Sequence, residues 1–488
     1  MLFLDLDKAL AGQDLIQELP YRDLCTDCGV SRTSAPKRCA TACQFIQPDY
    51  PKYELSVHGR ERKLENSDEV FFGAYLHMFR ARLIHPLPGA QWTGIISRLC
   101  EVLLEKGEID AVITMRSDPE DRWKPSPVIV TKAEDMAQCR GMKMGYAPII
   151  QYLEQARELG YKKVAMVGIP CQVYAARALE KEFGFEKLLI IGSPCSDNTS
   201  TENFHQFLGL LSPNPEDITY LEFRADYHVE LRFKNGEVQE IPFLKLPLST
   251  LPADFFPTTC KTCVDYVNSL SDITVGYMAG TGEQWIIVRN PKGQELVNLL
   301  STELSLEPVS SAGNRLGPVK GFMKNVELAA GGLPLQRMPN FMRSIFAWVM
   351  PRFGPRGLEF AKARIEMKAI ESVIHLRNVA PHKIKNMVTN LDQSSVGIDK
   401  AITNLNATIK NIKEGKGAIN YLSNDPKLVR KIDSTMTNLN TASFLLNEDL
   451  KAVQHNFLFR GYFKKQEKER LKALKIKQKE SPETDKKD

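Results

Sequence analysis

The apolar runs at residues 164–168 and 188–192 both end in Gly-x-Pro-Cys, written "GIPC" and "GSPC", and each leads into residues at helical spacing. Glycine and proline break a strand, so the chain spells strand, Gly-x-Pro-Cys and helix twice, which predicts a βαβ unit with parallel, adjacent strands. Cys171 and Cys195 then stand at one carboxyl edge of a sheet, where open α/β sheets hold their ligands. "DAVITM" at 110–115 predicts a further strand ending at that edge, and "TGIISRLCEVLLEKG" an amphipathic helix. Apolar and polar residues alternate over 218–243 around Asn235 and Gly236, which predicts a β-hairpin or meander. Residues 341–360, "FMRSIFAWVMPRFGPRGLEF", are too short to span a bilayer and form either a core-covering or an interfacial helix; we favour the core.

Past residue 380 the period changes. Ile384, Val388, Leu391, Ser395, Ile398, Ile402, Leu405, Ile409 and Ile412 follow alternating spacings of four and three, and the pattern resumes from Val429 to Val453 after "EGKGAINYLSNDP". This predicts a helical hairpin or coiled coil, with oligomerisation through it as an expectation. The last residues are highly charged and predict a frayed or disordered end.

The chain has 488 residues, enough for two or three domains, with 43% hydrophobic and 25% charged residues as in globular proteins. The expected divisions are an N-terminal cysteine-rich segment at 1–50, an α/β domain at 51–310, a helical part at 311–380 and the tail at 381–488. A net charge of +5, much of its excess in the last residues, does not suit a nucleic-acid binder. No apolar run approaches the ~18 residues of a membrane span, and "MLFLDLDKALAGQD" lacks a basic leader, so a cytoplasmic protein is expected. In a reducing compartment ten cysteines point to metal ligation, redox chemistry or burial rather than disulfides.

Eight of the ten fall into two sets. "CTDCGVSRTSAPKRCATACQF" holds Cys25, Cys28, Cys39 and Cys43 among Gly, Pro, Ser and Thr, a composition and spacing that suit tetrahedral zinc or a cubane iron–sulfur cluster. The second set joins Cys171 and Cys195 to Cys260 and Cys263 of "CKTC". Single cysteines at strand ends beside a ligand crevice favour a redox cluster over a structural zinc ribbon, which normally uses two close pairs. Cys100 and Cys139 lie on core-like patterns and are expected to be buried or partly exposed thiols.

In "GAQWTGIISRL", Gly89, Thr93 and Gly94 precede an apolar helix, so the segment serves either as a phosphate cradle or as an ordinary cap with Thr93 as the capping residue. No Gly-x-Gly-x-x-Gly fingerprint occurs, which argues against a Rossmann dinucleotide fold. Asp118 and Asp121, after the strand, and His58 and His85, flanking the flavin segment, are candidate proton donors, although a strand-end acid is more often a helix cap or an ion-pair partner.

The first cysteine set, "HGRERK", "GAQWTGI", "SDPEDR", "GIPCQV" and "CKTCVDYVNSLSDITVGYM", in that order over residues 15–378, resembles the flavin and iron–sulfur proteins related to the β subunit of deazaflavin-reducing hydrogenases. Within that group the set is most similar to the ferredoxin-dependent 8-vinyl reductases of divinyl chlorophyllide and to the 7-hydroxymethyl chlorophyll a reductases. The resemblance implies an α/β (mixed α+β) flavin and iron–sulfur domain that carries FAD and two [4Fe-4S] clusters. Reduced ferredoxin would be the donor and a chlorophyllide-type pigment the substrate, with reduction of its 8-vinyl group. The alternatives are 7-hydroxymethyl reduction, or an electron-transfer subunit of a larger complex. It further implies Thr93, Gly94, Gly141, Lys143 and Asn198, the last opening a helix, as flavin contacts. A pigment substrate makes peripheral contact with photosynthetic membranes an added expectation. "EGKGAINYLSNDPKLV" and "LNEDLKAVQHNFLFRGYFKK" resemble the helical C-terminal region of MCE-type lipid-transport proteins, without their β-barrel.

Overall fold

The computed structural model describes residues 25–310 and 339–368, apart from positions 47, 225, 248–249, 253, 281, 354–357, 360, 363–364 and 366–367. The predicted tail, the first residues of the N-terminal segment and most of 311–380 lie outside the described residues. In chain order the elements are α1 (Tyr50–His58), α2 (Ser67–Phe72), β1 (His77–Leu83), α3 (Ile95–Glu105), β2 (Ala111–Ser117), β3 (Pro125–Val130), α4 (Ile149–Glu158), β4 (Lys163–Gly168), α5 (Pro170–Phe183) and β5 (Lys187–Gly192). They continue with α6 (Thr201–Leu211), β6 (Ile218–Phe223), β7 (His228–Phe233), β8 (Val238–Pro242), α7 (Thr258–Thr262), β9 (Ile273–Gly280), β10 (Glu283–Val288), α8 (Pro291–Leu299), β11 (Leu304–Pro308) and α9 (Asn340–Phe353).

β4 and β5 pair in parallel through the α5 crossover, with Gly168 opposite Gly192, as the repeated strand, Gly-x-Pro-Cys and helix pattern predicts. β2 lies parallel on the far side of β4, and β9 parallel on the far side of β5. These four form the centre of an eight-stranded sheet of order β11-β1-β10-β9-β5-β4-β2-β3. The wings are antiparallel, β3 on β2 and the run β10, β1, β11 beyond β9, so the class is mixed α/β. β2, β4 and β5 read as almost unbroken apolar runs because helices cover both faces. Val112, Ala165, Leu189 and Ile191 pack towards α3 and α8, while Ile113, Val164, Met166 and Ile190 pack towards α4 and α5.

The predicted meander is a separate three-stranded sheet, β6-β7-β8, and its inner face meets Phe204, Phe207 and Leu208 of α6. Helix α9 departs from the favoured core role. Ala347 and Met350 are buried, Met350 against Tyr227, Phe243 and Leu244, yet Phe341, Ile345, Trp348 and Phe353 are exposed. The segment carries more large apolar residues than the one stripe it buries can take in. No helix of the described residues is long and apolar enough to cross a membrane.

Candidate redox centres and flavin site

The register of β4 and β5 sets the first pair of thiols. Cys171 and Cys195 each stand three residues past the paired glycines, Cys171 in the first turn of α5 and Cys195 in the loop before α6. The incoming loop 260–272 crosses directly over these strand ends, since β9 begins level with the end of β5. Asn268, at a left-handed φ of 60°, donates through Nδ2 to Gly168 O at 2.7 Å and to Ser193 O at 3.3 Å. The Cys195 N–H donates to Tyr266 O at 3.0 Å. A Cβ at Gly192 would come within 2.7 Å of Asn268 Cγ, so only glycine admits this clasp. The loop is pinned further by Asp272, which accepts from Ile190 N at 2.7 Å, Arg177 Nη2 at 2.8 Å and Asn290 Nδ2 at 2.8 Å. Buried Arg289 donates to Phe72 O, Ala74 O and Val267 O.

Burial and repulsion from neighbouring thiols raise most of the candidate ligands. Burial pushes the Cys171 and Cys195 thiols well above the ordinary range; Cys171 is raised further by Cys260 and then Cys263, and Cys195 by Cys260 and then Cys171. Burial likewise lifts Cys260 to about 11 and Cys263 to about 12. Cys28 is raised by burial and then by repulsion from Cys39, Cys43 and Cys25. The sets adjoin, because Cys28 also repels Cys171, and Gln44 Nε2 donates to Cys263 Sγ at 3.7 Å. Among the described residues there is no disulfide and no group of three His, Cys, Asp or Glu side chains close enough to hold one metal ion. Sulfur also receives the N–H donors that tune clusters: Asn198 N to Cys260 Sγ at 3.4 Å and Asp27 N to Cys25 Sγ at 3.4 Å.

The five residues matched to flavin contacts lie along one strip that ends at the second cysteine set. Gly94 caps α3 in the left-handed region at φ 89°, with no side-chain cap, so Thr93 is not the capping residue. Its buried hydroxyl instead donates to Gln284 Oε1 and accepts from Leu83 N, and its carbonyl accepts from Leu87 N, so Thr93 serves the loop's own structure. Gly141 approaches the neighbouring loop, a Cβ there lying 3.5 Å from Gly89 O, and nothing stands within 4 Å of a Cβ at Gly89. Both glycines take left-handed backbone conformations, at φ 73° and 83°, and bring the 89–94 and 139–143 loops side by side. Lys143 Nζ donates to the carbonyls of Cys139, Arg140 and Gly141, and burial lowers its ammonium to about 8. Asn198 Nδ2 donates to Gly145 O at 2.8 Å, and the same residue's N–H reaches Cys260 Sγ, so the strip and the second set meet at Asn198. Asn198 does not open α6, whose cap is Ser200; the Ser200 hydroxyl accepts from Asn203 N.

The four proton-donor candidates are placed as structural groups or at the surface. Asp121 bonds His205 Nε2 and Trp123 N, and Asp118 accepts from Glu120 N. His58 Nε2 sits 2.8 Å from Ser269 O, its imidazole held down to about 4 by burial, and His85 is exposed. A carboxyl that the sequence reading missed is Glu222 of β6, buried and raised by that burial, which accepts from Tyr220 Oη and from Trp92 N of the 89–94 loop. Cys100 is fully buried and Cys139 partly so.

A direct check on the clasp is Asn268→Ala. With Nδ2 gone the two strand-end loops lose their shared donor, so the second cysteine set should lose iron or show an altered electron paramagnetic resonance signal while the N-terminal set stays unchanged. Unaltered iron content and spectra would show that Asn268 positions neither loop.

Residues 78–154 match the N-terminal region, and 161–312 the C-terminal region, of the family described as coenzyme F420 hydrogenase/dehydrogenase, beta subunit. An uncharacterized protein of Nostoc sp. is 35% identical over 379 residues, covering 78% of this chain and 94% of its own. The chloroplastic 7-hydroxymethyl chlorophyll a reductase of Oryza sativa subsp. japonica is 34% identical over 370 residues, covering 73% of this chain and 78% of its own. A chain of the F420-reducing NiFe hydrogenase complex from Methanosarcina barkeri aligns with TM-score 0.45 and 22% identity, over 55% of this chain and 97% of that one. With two relatives above 30% identity matched over most of their length, this chain belongs to the coenzyme F420 hydrogenase/dehydrogenase beta-subunit family of oxidoreductases.

Proposed function

We propose that the chain is a ferredoxin-dependent reductase of a chlorophyll-type pigment, carrying two [4Fe-4S] clusters and FAD, and that it reduces the 8-vinyl group of divinyl chlorophyllide. The observation that carries the redox reading is the arrangement of thiols: two sets of four that adjoin at Cys28 and Cys171, the second touching the flavin strip at Asn198. Cys25, Cys28, Cys39 and Cys43 would hold the cluster that receives electrons from ferredoxin, and Cys171, Cys195, Cys260 and Cys263 the one beside the flavin. FAD, when bound, supplies a store for the two electrons that a one-electron donor delivers separately. The residues here do the rest: Gly89 and Gly141 leave room for the ligand's backbone contacts, Lys143 places a desolvated amine beside them, and the clasp at Asn268 fixes the sulfur positions.

Vinyl reduction adds two electrons and two protons across one carbon–carbon bond. The bunched N-terminal cysteine pattern supports this reading. The rice relative favours a second one, reduction of a 7-hydroxymethyl group to methyl, in which two electrons and two protons release water. A third reading, an electron-transfer subunit, draws on the family's hydrogenase and dehydrogenase beta subunits. Anaerobic protein given reduced ferredoxin and each pigment separately should add two hydrogens to the divinyl substrate, seen as a mass gain. Loss of oxygen from the hydroxymethyl pigment without vinyl turnover would establish the second reading. Reduction of an artificial acceptor with neither pigment altered would leave only electron transfer.

A further inference from the structure

The described surface scatters its exposed large aliphatic residues singly, but every exposed Phe and Trp among the described residues lies on α9: Phe341, Trp348 and Phe353, with Ile345 between them. Single exposed hydrophobics need no explanation, whereas a cluster of aromatics on one helix face does. Phe341, Ile345, Trp348 and Arg352 recur every three or four residues and so form one stripe along the helix. Ala347 and Met350 point the other way and anchor the helix to the turn after β8 and to Tyr227. The stripe is therefore held outward by a buried face, and is not a core surface left open by chance.

Three features distinguish the occupants. Helix α9 contains no acidic residue and carries Arg343 and Arg352. The Arg352 guanidinium stacks on the Trp348 ring at 4.8 Å and donates to Trp348 O at 2.9 Å, so a cation is fixed within the apolar stripe. Phe341 is 68% and Phe353 73% exposed at the two ends of the helix, and the Phe353 ring lies 6.1 Å from the Trp348 ring beside the stripe. A second copy of the chain meeting this stripe about a two-fold axis would bring arginine-bearing stripes together with no carboxylate between them, an unfavourable pairing. An anionic lipid surface offers what the stripe lacks: acyl chains for Phe and Ile, an interfacial layer for Trp, and phosphate oxygens for Arg.

We propose that α9 is an interfacial helix that docks the protein on an anionic membrane, with Phe341, Ile345, Trp348 and Phe353 entering the headgroup boundary and Arg352 bonding lipid phosphate. The proposal stands apart from the pigment assignment, and its test contains no pigment. The full-length holoprotein is floated with vesicles of phosphatidylcholine alone or with a quarter phosphatidylglycerol. Binding is expected with the anionic vesicles and to be several-fold weaker with the neutral ones. Phe341→Ser combined with Trp348→Ser should remove most of it, with iron and flavin content unchanged as proof of folding, and Arg352→Gln should weaken the preference for anionic lipid. Retained binding in the double variant, as the basic C-terminal residues alone would give, overturns the proposal. So does an absence of binding in the parent protein, or a wild-type dimer that the same pair of substitutions converts to monomer without any lipid effect.

Discussion

On the proposed assignment, Cys260→Ser is expected to leave a chain with about four iron and four acid-labile sulfide where the parent carries about eight of each, and to abolish pigment reduction. Cys260 is buried, and its thiol sits near Asp197 and receives the Asn198 N–H, so a hydroxyl there is a harder, protonated and poorly placed ligand. Burial also holds Cys171, Cys195 and Cys263 in the thiol form unless a cluster compensates the charge, so three remaining ligands do not retain the metal. The N-terminal set keeps its cluster, because its four cysteines lie between residues 25 and 43 and draw none of their mutual contacts from the Cys260 loop. Iron and sulfide analysis with electron paramagnetic resonance reads this directly. Zinc in the parent protein, or loss of all iron in the variant, would overturn the division into two independent centres.

Asp272→Asn destabilises the chain by about 3–5 kcal/mol, the cost of breaking a buried ion pair by removing one partner. Asp272 and Arg177 expose 1% and 2% of their side chains and meet at 2.8 Å. Arg177 keeps a bond to Glu180, a third exposed, and to Leu270 O, but its charge then faces a neutral amide in the interior. The amide must also present its oxygen to both Ile190 N and Asn290 Nδ2, which one side-chain orientation does less well than a carboxylate. Urea unfolding, followed by far-ultraviolet circular dichroism, measures the loss. A shift below about 1 kcal/mol would mean that the pair is worth no more than an exposed one.

The parallel centre of the sheet was legible because βαβ units announce themselves locally: an apolar run, a breaker and a helical period suffice for β4, α5 and β5. The β6-β7-β8 meander was legible for the same reason, since alternation and an Asn-Gly turn are short-range signals. The antiparallel wing was not. β1 pairs with β10 and β11, more than two hundred residues away, and no local pattern records such a partner. Spacing proposes two sets of thiols, but says nothing of what holds their loops in place. Asn268, Asp272, Arg177 and Arg289 act through backbone carbonyls and amides of distant segments, and in one dimension each is an ordinary polar residue. The same holds for Glu222, whose significance comes from burial beside Trp92 N. The alternative of Thr93 as a cap fails because a Thr-Gly before an apolar helix has the local form of one, whereas Gln284 on a strand far along the chain takes its hydroxyl.

The clasp over the strand ends also fixes a timetable for maturation. On the proposed assignment the N-terminal cluster takes its ligands from residues 25–43, a loop that rests on α4 through Ile150 N to Cys28 O and Ser34 N to Glu154, so its site needs the chain as far as α4. The second cluster draws on sulfurs from Cys171 to Cys263, and Cys195 is held by Tyr266 and Asn268 only after β9 has entered the sheet beside β5. Its donation must therefore follow closure of the sheet. On that assignment the flavin-side centre is the later of the two to be completed.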